Sequence, residues 1–98
     1  MTTTVNTVVL AAADNVGIAL RDIDKNETAQ STGGALIVAR EAIPLGHKVA
    51  LGQIKAGSPI VRFGVPVGLA TTSIAAGQLV HVHNVRSQYL DNVEDHYE

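Results

Sequence analysis

Residues 50–57 read Ala50-Leu51-Gly52-Gln53-Ile54-Lys55-Ala56-Gly57, and their spacing governs how the rest of the chain is read. Ala and Ile stand four apart, with Gly three further on. The pattern recurs at Ala19/Ile23/Asn26 and at Ala70/Ile74/Gly77. A four-residue step is close to one helical turn, so the Ala and Ile side chains would share a face. Gly and Asn tolerate the left-handed backbone that ends such a turn. Each copy is therefore expected to form a single helical turn followed by a sharp reversal. The copies begin 31 and then 20 residues apart, from Ala19 to Ala50 to Ala70, which excludes an evenly stacked solenoid. The plain reading is a recurrent turn that folds strands over a small core.

Outward from these turns, short β-prone runs appear. Thr4 to Ala13 is rich in Val and Thr and predicts a first strand. Ala35 to Arg40, Ile60 to Phe63 and Leu79 to Val85 predict three more. Thr28 to Gly34 is polar and Gly-ended, so it reads as a loop. The expected division is one β-rich domain over 1–86 and a polar, acidic tail over 87–98.

The 98 residues suffice for one domain, and 46% apolar content supports a packed core over disorder. Phe63, Tyr89 and Tyr97 are the aromatics, too few to make stacking platforms for single-stranded nucleic acid. Seven basic against nine acidic residues give a net charge of −2 with no basic patch, so nucleic acid is not an expected partner. Cysteine is absent, which removes disulfides, thiolate ligands and a Cys nucleophile. Val8 to Ala13 is too short for a membrane span, and no Lys or Arg precedes Arg21 as in a secretory leader. A cytoplasmic location without membrane attachment is the expectation.

Several residues carry possible chemistry. In a strand, His81 and His83 of His81-Val82-His83-Asn84 would point to one face, about 6.5 Å apart. Two imidazoles so placed suit a divalent metal if a third ligand joins, with His47, Asp91, Asp95 or a partner's residue as candidates. The plainer alternative is a polar strand face. Pro44-Leu45-Gly46-His47-Lys48 mounts an acid–base imidazole and a carboxylate-holding ammonium on a turn, or is simply a solvated turn. Asp14 and Asn15 read first as caps and second as substrate contacts. Arg62 suits a bidentate carboxylate contact or an exposed strand end. No phosphate-binding Gly loop and no Ser-x-x-Lys nucleophile arrangement is present.

Taken in order, Asp14-Asn15-Val16, Ile43-Pro44-Leu45-Gly46-His47-Lys48-Val49-Ala50-Leu51, Ile54-x-x-Gly57, Arg62-Phe63-Gly64, Val67-Gly68-x-Ala70, Ile74-x-x-Gly77 and Val80-His81-Val82-His83-Asn84 resemble a known family. It is the small N-terminal part of altronate and galactarate dehydratases, which also occurs as the small subunit of sulfolactate sulfo-lyase. The resemblance covers roughly residues 8 to 86. It implies a mainly β, SAF-type β-clip fold with single helical turns between short strands.

The same resemblance implies metal-assisted β-elimination from a hydroxy acid, carried out chiefly by a much larger catalytic region. The implied cofactor is a divalent metal, iron(II), held mainly by that large subunit. His47, His81 and His83 are then the catalytic candidates, and His81 and His83 the candidate metal ligands. Lys48, Arg62, Asn84, Asp14 and Asn15 are the candidate substrate contacts. The expected partners are a large catalytic subunit and a hydroxy-acid substrate, with homo-oligomerisation left open. The isolated chain is expected to fold without catalysing the reaction. The alternatives are a sulfolactate sulfo-lyase small subunit and a non-catalytic sugar-binding or assembly module.

Overall fold

Four tight turns organise the protein, and each ends a copy of the Ala-x-x-x-Ile-x-x-Gly pattern. The computed structural model describes residues 5–86; the expected tail, with Asp91, Asp95 and His96, lies outside the described residues. Three turns belong to the copies seen in the sequence. Their left-handed positions are those expected, with φ of 75° at Asn26, 85° at Gly57 and 88° at Gly77. The fourth is Ala39/Ile43/Gly46, with φ of 83° at Gly46; in the sequence it lies hidden inside the Pro44-Leu45-Gly46 turn. Each turn closes with an N–H to C=O bond three residues back: Glu27 to Asp24, His47 to Pro44, Ser58 to Lys55 and Gln78 to Ala75.

The expected helical turns are not formed. Among the described residues the chain holds strands, bends and turns but no helix. The four Ile residues pair instead. Ile23 and Ile43 exchange backbone hydrogen bonds of 2.9 and 2.8 Å, and Ile54 and Ile74 exchange two of 2.8 Å. Pairing with a distant bend satisfies N–H and C=O groups that one helical turn would leave unpaired.

Nine strands occur among the described residues: β1 Thr7–Val8, β2 Val16–Ala19, β3 Thr28–Gln30, β4 Leu36–Val38, β5 Lys48–Ala50, β6 Pro59–Arg62, β7 Val65–Ala70, β8 Leu79–Val80 and β9 Val85–Arg86. They form a four-stranded sheet in the order β1-β2-β5-β8, a β3-β4 hairpin and a β6-β7-β9 sheet, with all these strand pairs antiparallel. The fold is mainly β, as expected. The strands differ in detail. Among its described residues the run Thr4 to Ala13 yields only β1 before a turn, and the expected loop at Thr28 contains β3. The run Leu79 to Val85 is broken into β8 and β9 by a turn over His81 to Asn84.

The four copies make two halves. Moving 31 positions carries Ala19, Ile23, Ala39, Ile43 and Val49 onto Ala50, Ile54, Ala70, Ile74 and Val80. Both sets are buried, and the backbone bonds repeat with the same shift. Asn26 donates to Ala39 O as Gly57 donates to Ala70 O, and Gly46 donates to Ala19 O as Gly77 donates to Ala50 O. One core cluster is built around Ile23, Ile37 and Ile43, and the other around Ile54, Ile60 and Ile74. Each such Ile contributes about 1.5–3 kcal/mol by leaving water. The four-stranded sheet feeds both clusters: Val16, Ala50 and Val80 enter one, Ala19 and Val49 the other. The uneven copy spacing is thus two pairs of turns, with the halves meeting at β5.

Candidate functional site

The pairing of β5 with β8 decides which candidate residues meet. Lys48 lies opposite Val80, and one further step along the same register sets His47 opposite His81. Their ring centroids are 4.8 Å apart with planes tilted by 59°. Both imidazoles are mounted on turns. The His47 N–H closes the Pro44 turn, and its Nδ1 lies 3.3 Å from Leu45 O. His81 accepts the Asn84 N–H at 3.0 Å through its backbone carbonyl. Both rings are half-buried, as is Lys48. Lys48 and His81 line a cavity of about 10 Å³ with Ile60, Val67, Val80, Val82 and Val85. That volume holds about one water, so any larger ligand would have to lie on the open face above it.

His83 does not share a strand face with His81. Both belong to the turn after β8, and His83 is exposed. The apolar–polar alternation from Leu79 to Val85 imitates a strand, but Asn84 closes the segment on itself. Its Oδ1 accepts the His81 N–H at 2.9 Å and its Nδ2 donates to Leu79 O at 2.9 Å. Asn84 thereby fixes the backbone of His81.

Asn15 works the same way elsewhere. It donates to Pro59 O at 2.8 Å and accepts the Val61 N–H at 2.7 Å. Asn6 repeats the clamp one half earlier, with Thr28 O at 3.0 Å and the Gln30 N–H at 2.7 Å. Thr28 and Gln30 shift onto Pro59 and Val61 by the same 31 positions. Asn6 is the residue that sequence reasoning missed; a lone Asn in a Val/Thr run carries no local signal for a clamp on a strand that follows much later.

Asp14 and Arg62 belong to the end of the β6–β7 hairpin. Asp14 accepts the Gly64 N–H at 2.7 Å and, through its other oxygen, the Ala11 and Leu10 N–H groups at 3.2 and 3.3 Å. Desolvation pushes its pKa up, but N–H groups of Gly64, Ala11, Phe63 and Leu10 together hold it below the ordinary aspartate value. The Arg62 guanidinium lies 5.4 Å from the Phe63 ring centroid, and its Nε is buried without a hydrogen-bond partner among the described residues. The structure therefore groups His47, Lys48 and His81, with His83 and Asn84 in the adjoining turn, while Asp14, Asn15 and Arg62 attend the hairpin. Among the described residues no three His, Cys, Asp or Glu side chains come together as a metal site.

Comparison with known proteins gives this arrangement a context. The family model described as Altronate/galactarate dehydratase SAF domain matches residues 5–88. Altronate dehydratase of Bacillus subtilis (strain 168) is 42% identical over 78 residues, which is 80% of this chain and 16% of that protein. Altronate dehydratase of Escherichia coli (strain K12) is 39% identical over 80 residues, 82% of this chain and 16% of that protein. The (2R)-sulfolactate sulfo-lyase subunit alpha of Chromohalobacter salexigens is 37% identical over 49 residues, 50% of this chain and 52% of that protein. The chain thus spans about a sixth of the dehydratases and about half of the sulfo-lyase subunit it matches.

Proposed function

The chain belongs to the altronate/galactarate dehydratase SAF-domain family, and on that premise we propose that it is the small subunit or domain of a hydro-lyase. The reaction is dehydration of an altronate-type sugar acid to a 2-keto-3-deoxy acid, completed with a large catalytic subunit in the cytoplasm. The observation that carries the reading is the His47–His81 pair beside Lys48, on a face whose cavity has room for about one water. Such a face presents groups to a substrate but does not enclose it, and the dehydratases it resembles are about five times longer.

The elimination removes the proton next to the carboxylate, breaks the bond to the neighbouring hydroxyl and releases water; the enol left behind tautomerises to the keto acid. In this reading Lys48 holds the substrate carboxylate and an imidazole of the pair protonates the departing hydroxyl. Asn84 is a positioning residue through its bond to the His81 N–H. The described residues do not by themselves fit a divalent metal, because His83 stands in an exposed turn and no third ligand joins His47 and His81. An iron(II) centre, if the enzyme uses one, then belongs mainly to the large subunit.

A second reading has one supporting observation. The chain spans a larger share of the sulfo-lyase alpha subunit than of the dehydratases, so a small subunit of a sulfolactate sulfo-lyase is the alternative.

The test is co-purification with a large dehydratase-type subunit and assay against altronate, galactarate and sulfolactate. The complex is expected to turn over one sugar acid, and the chain alone none. His81→Ala should leave the melting temperature of the chain nearly unchanged and lower kcat of the complex by roughly 10²–10⁴. Enzyme-like turnover by the chain alone, or full activity in a His47→Ala/His81→Ala complex, overturns the reading.

A further inference from the structure

The two halves differ at one sheet edge. In the second half, β9 lies along the outer edge of β7, with Arg86 opposite Leu69 and Val85 opposite Ala70. Shifted back by 31 positions, Leu69 and Ala70 become Val38 and Ala39 of the first half. Among the described residues β4 has one strand partner, β3. The start of the pattern is shared: the Thr71 N–H bonds Asn84 O where β9 begins, and the equivalent Arg40 N–H bonds Gly77 O. From there the chain diverges. After Asn84 it continues along β7, whereas after Gly77 it leaves β4 and enters β8.

What β9 would cover is left as a groove of about 730 Å³, lined by Leu36, Val38, Leu51 and Ala76 and flanked by Lys25 and Arg40. Leu36 is 65% and Val38 55% exposed, unusual for neighbours within one strand. The Ala39 N–H to Glu27 O and Ser31 N–H to Ala35 O bonds fix the parity of the hairpin. Alternation then turns the Leu36 N–H and C=O and the Val38 N–H away from β3. An exposed apolar edge with unpaired backbone groups is a template for another strand. No acidic side chain lines this groove, and both of its charged residues are cations.

We propose that the groove along the outer edge of β4 docks an extended, acidic strand of a partner polypeptide, which adds to β4 as β9 adds to β7. The incoming strand runs antiparallel to β4. It places an apolar side chain on Leu51 and Ala76, as Val85 is buried in the second core, and carboxylates against Lys25 and Arg40. This inference stands apart from the histidine face and does not depend on the reaction assigned to it.

The experiment is a backbone-amide NMR titration of the full chain with two end-capped peptides, one alternating Val and Glu, the other Val and Lys. Saturable shifts confined to Leu36–Arg40, Leu51 and Ala76 with the acidic peptide are expected. The basic peptide should give none. Leu36→Pro removes an outward N–H without touching the β3 ladder and should abolish binding. Lys25→Glu/Arg40→Glu should weaken it roughly tenfold, since exposed charge pairs are individually modest. Equal response to both peptides, or shifts elsewhere, overturns the proposal. So do edge shifts that grow with protein concentration alone, which would mean a second copy. Acidic-peptide binding that appears only in a chain ending at Arg86 would mean that the chain's own terminal segment is the occupant, and likewise overturns it.

Discussion

Across the first hairpin Ala29 faces Ile37; across the second, at positions shifted by 31, Ile60 faces Gly68. The large side chain has changed strands while the pair still fills one layer of its core. A similar exchange occurs at the turns. The first half surrounds Ile23 with Arg21, Asp24 and Glu27, and Arg21 pairs with Glu27; the second half has Gly52, Lys55 and Ser58 at the matching sites. The backbone bonds are the same in both. What the fold requires is therefore a filled layer, four paired Ile residues and a left-handed residue in each turn, whereas the surface charges are dispensable. An exposed ion pair is worth little, which is why one half can do without it.

The sharpest way to break the equivalence is at Gly77. Its counterpart Gly46 has open space where a Cβ would stand, but a Cβ on Gly77 would lie 2.1 Å from the Val38 carbonyl oxygen. Gly77→Val is expected to cost at least ~4 kcal/mol, or to prevent folding. Gly46→Val and Gly57→Val should cost about 1–2 kcal/mol, the penalty of the left-handed backbone alone. Asn26→Gly should change stability by only a few tenths. Urea melts of the four variants decide the order, and equal losses at Gly46 and Gly77 would mean that the halves do not meet there.

The exchanged layer comes next. Ile60→Ala should lose about 2–5 kcal/mol by opening a cavity opposite Gly68. Ala29→Ile should lose about 1–3 kcal/mol by overfilling the layer that Ile37 already occupies. If Ala29→Ile/Ile37→Gly rebuilds the second-half arrangement in the first, it should recover most of the Ala29→Ile loss, as a two-variant cycle would read. A smaller effect separates the Asn clamps. Asn6 is 2% exposed whereas Asn15 is half-buried, so Asn6→Ala should cost more, each within about 1–3 kcal/mol.

The mildest expectation concerns pH. Asp14 binds more protons in the unfolded chain than in the folded one at mildly acidic pH, because its folded pKa is lowered. Its stabilisation is complete above the unfolded value of about 3.9 and is lost as pH falls through the folded value. Asp14→Asn should therefore show a flatter fall of melting temperature below about pH 4 than the parent. An unchanged slope would show that the carboxylate does not hold the Gly64 loop.

Some of this was legible residue by residue. Asn26, Gly57 and Gly77 announced left-handed turns because that preference is a property of the residue itself, and His47 and Lys48 announced a turn-mounted pair through Pro44 and Gly46. The same local evidence misread the Ala-to-Ile step as a helical turn, since four residues fit one helical turn and also fit a bend whose Ile pairs with another Ile twenty positions away. It also read His81 and His83 as strand neighbours, although Asn84 three residues after His81 held the signal for a turn. What the sequence determined alone were thus the reversals, the apolar positions between them and the membership of a family. Which reversal faces which, and that His47 meets His81 instead of His83, came from the tertiary structure. The physical reason is range: turn preferences act over a few residues, whereas the β5–β8 register that joins the two imidazoles is set by two cores packing against opposite sides of one sheet.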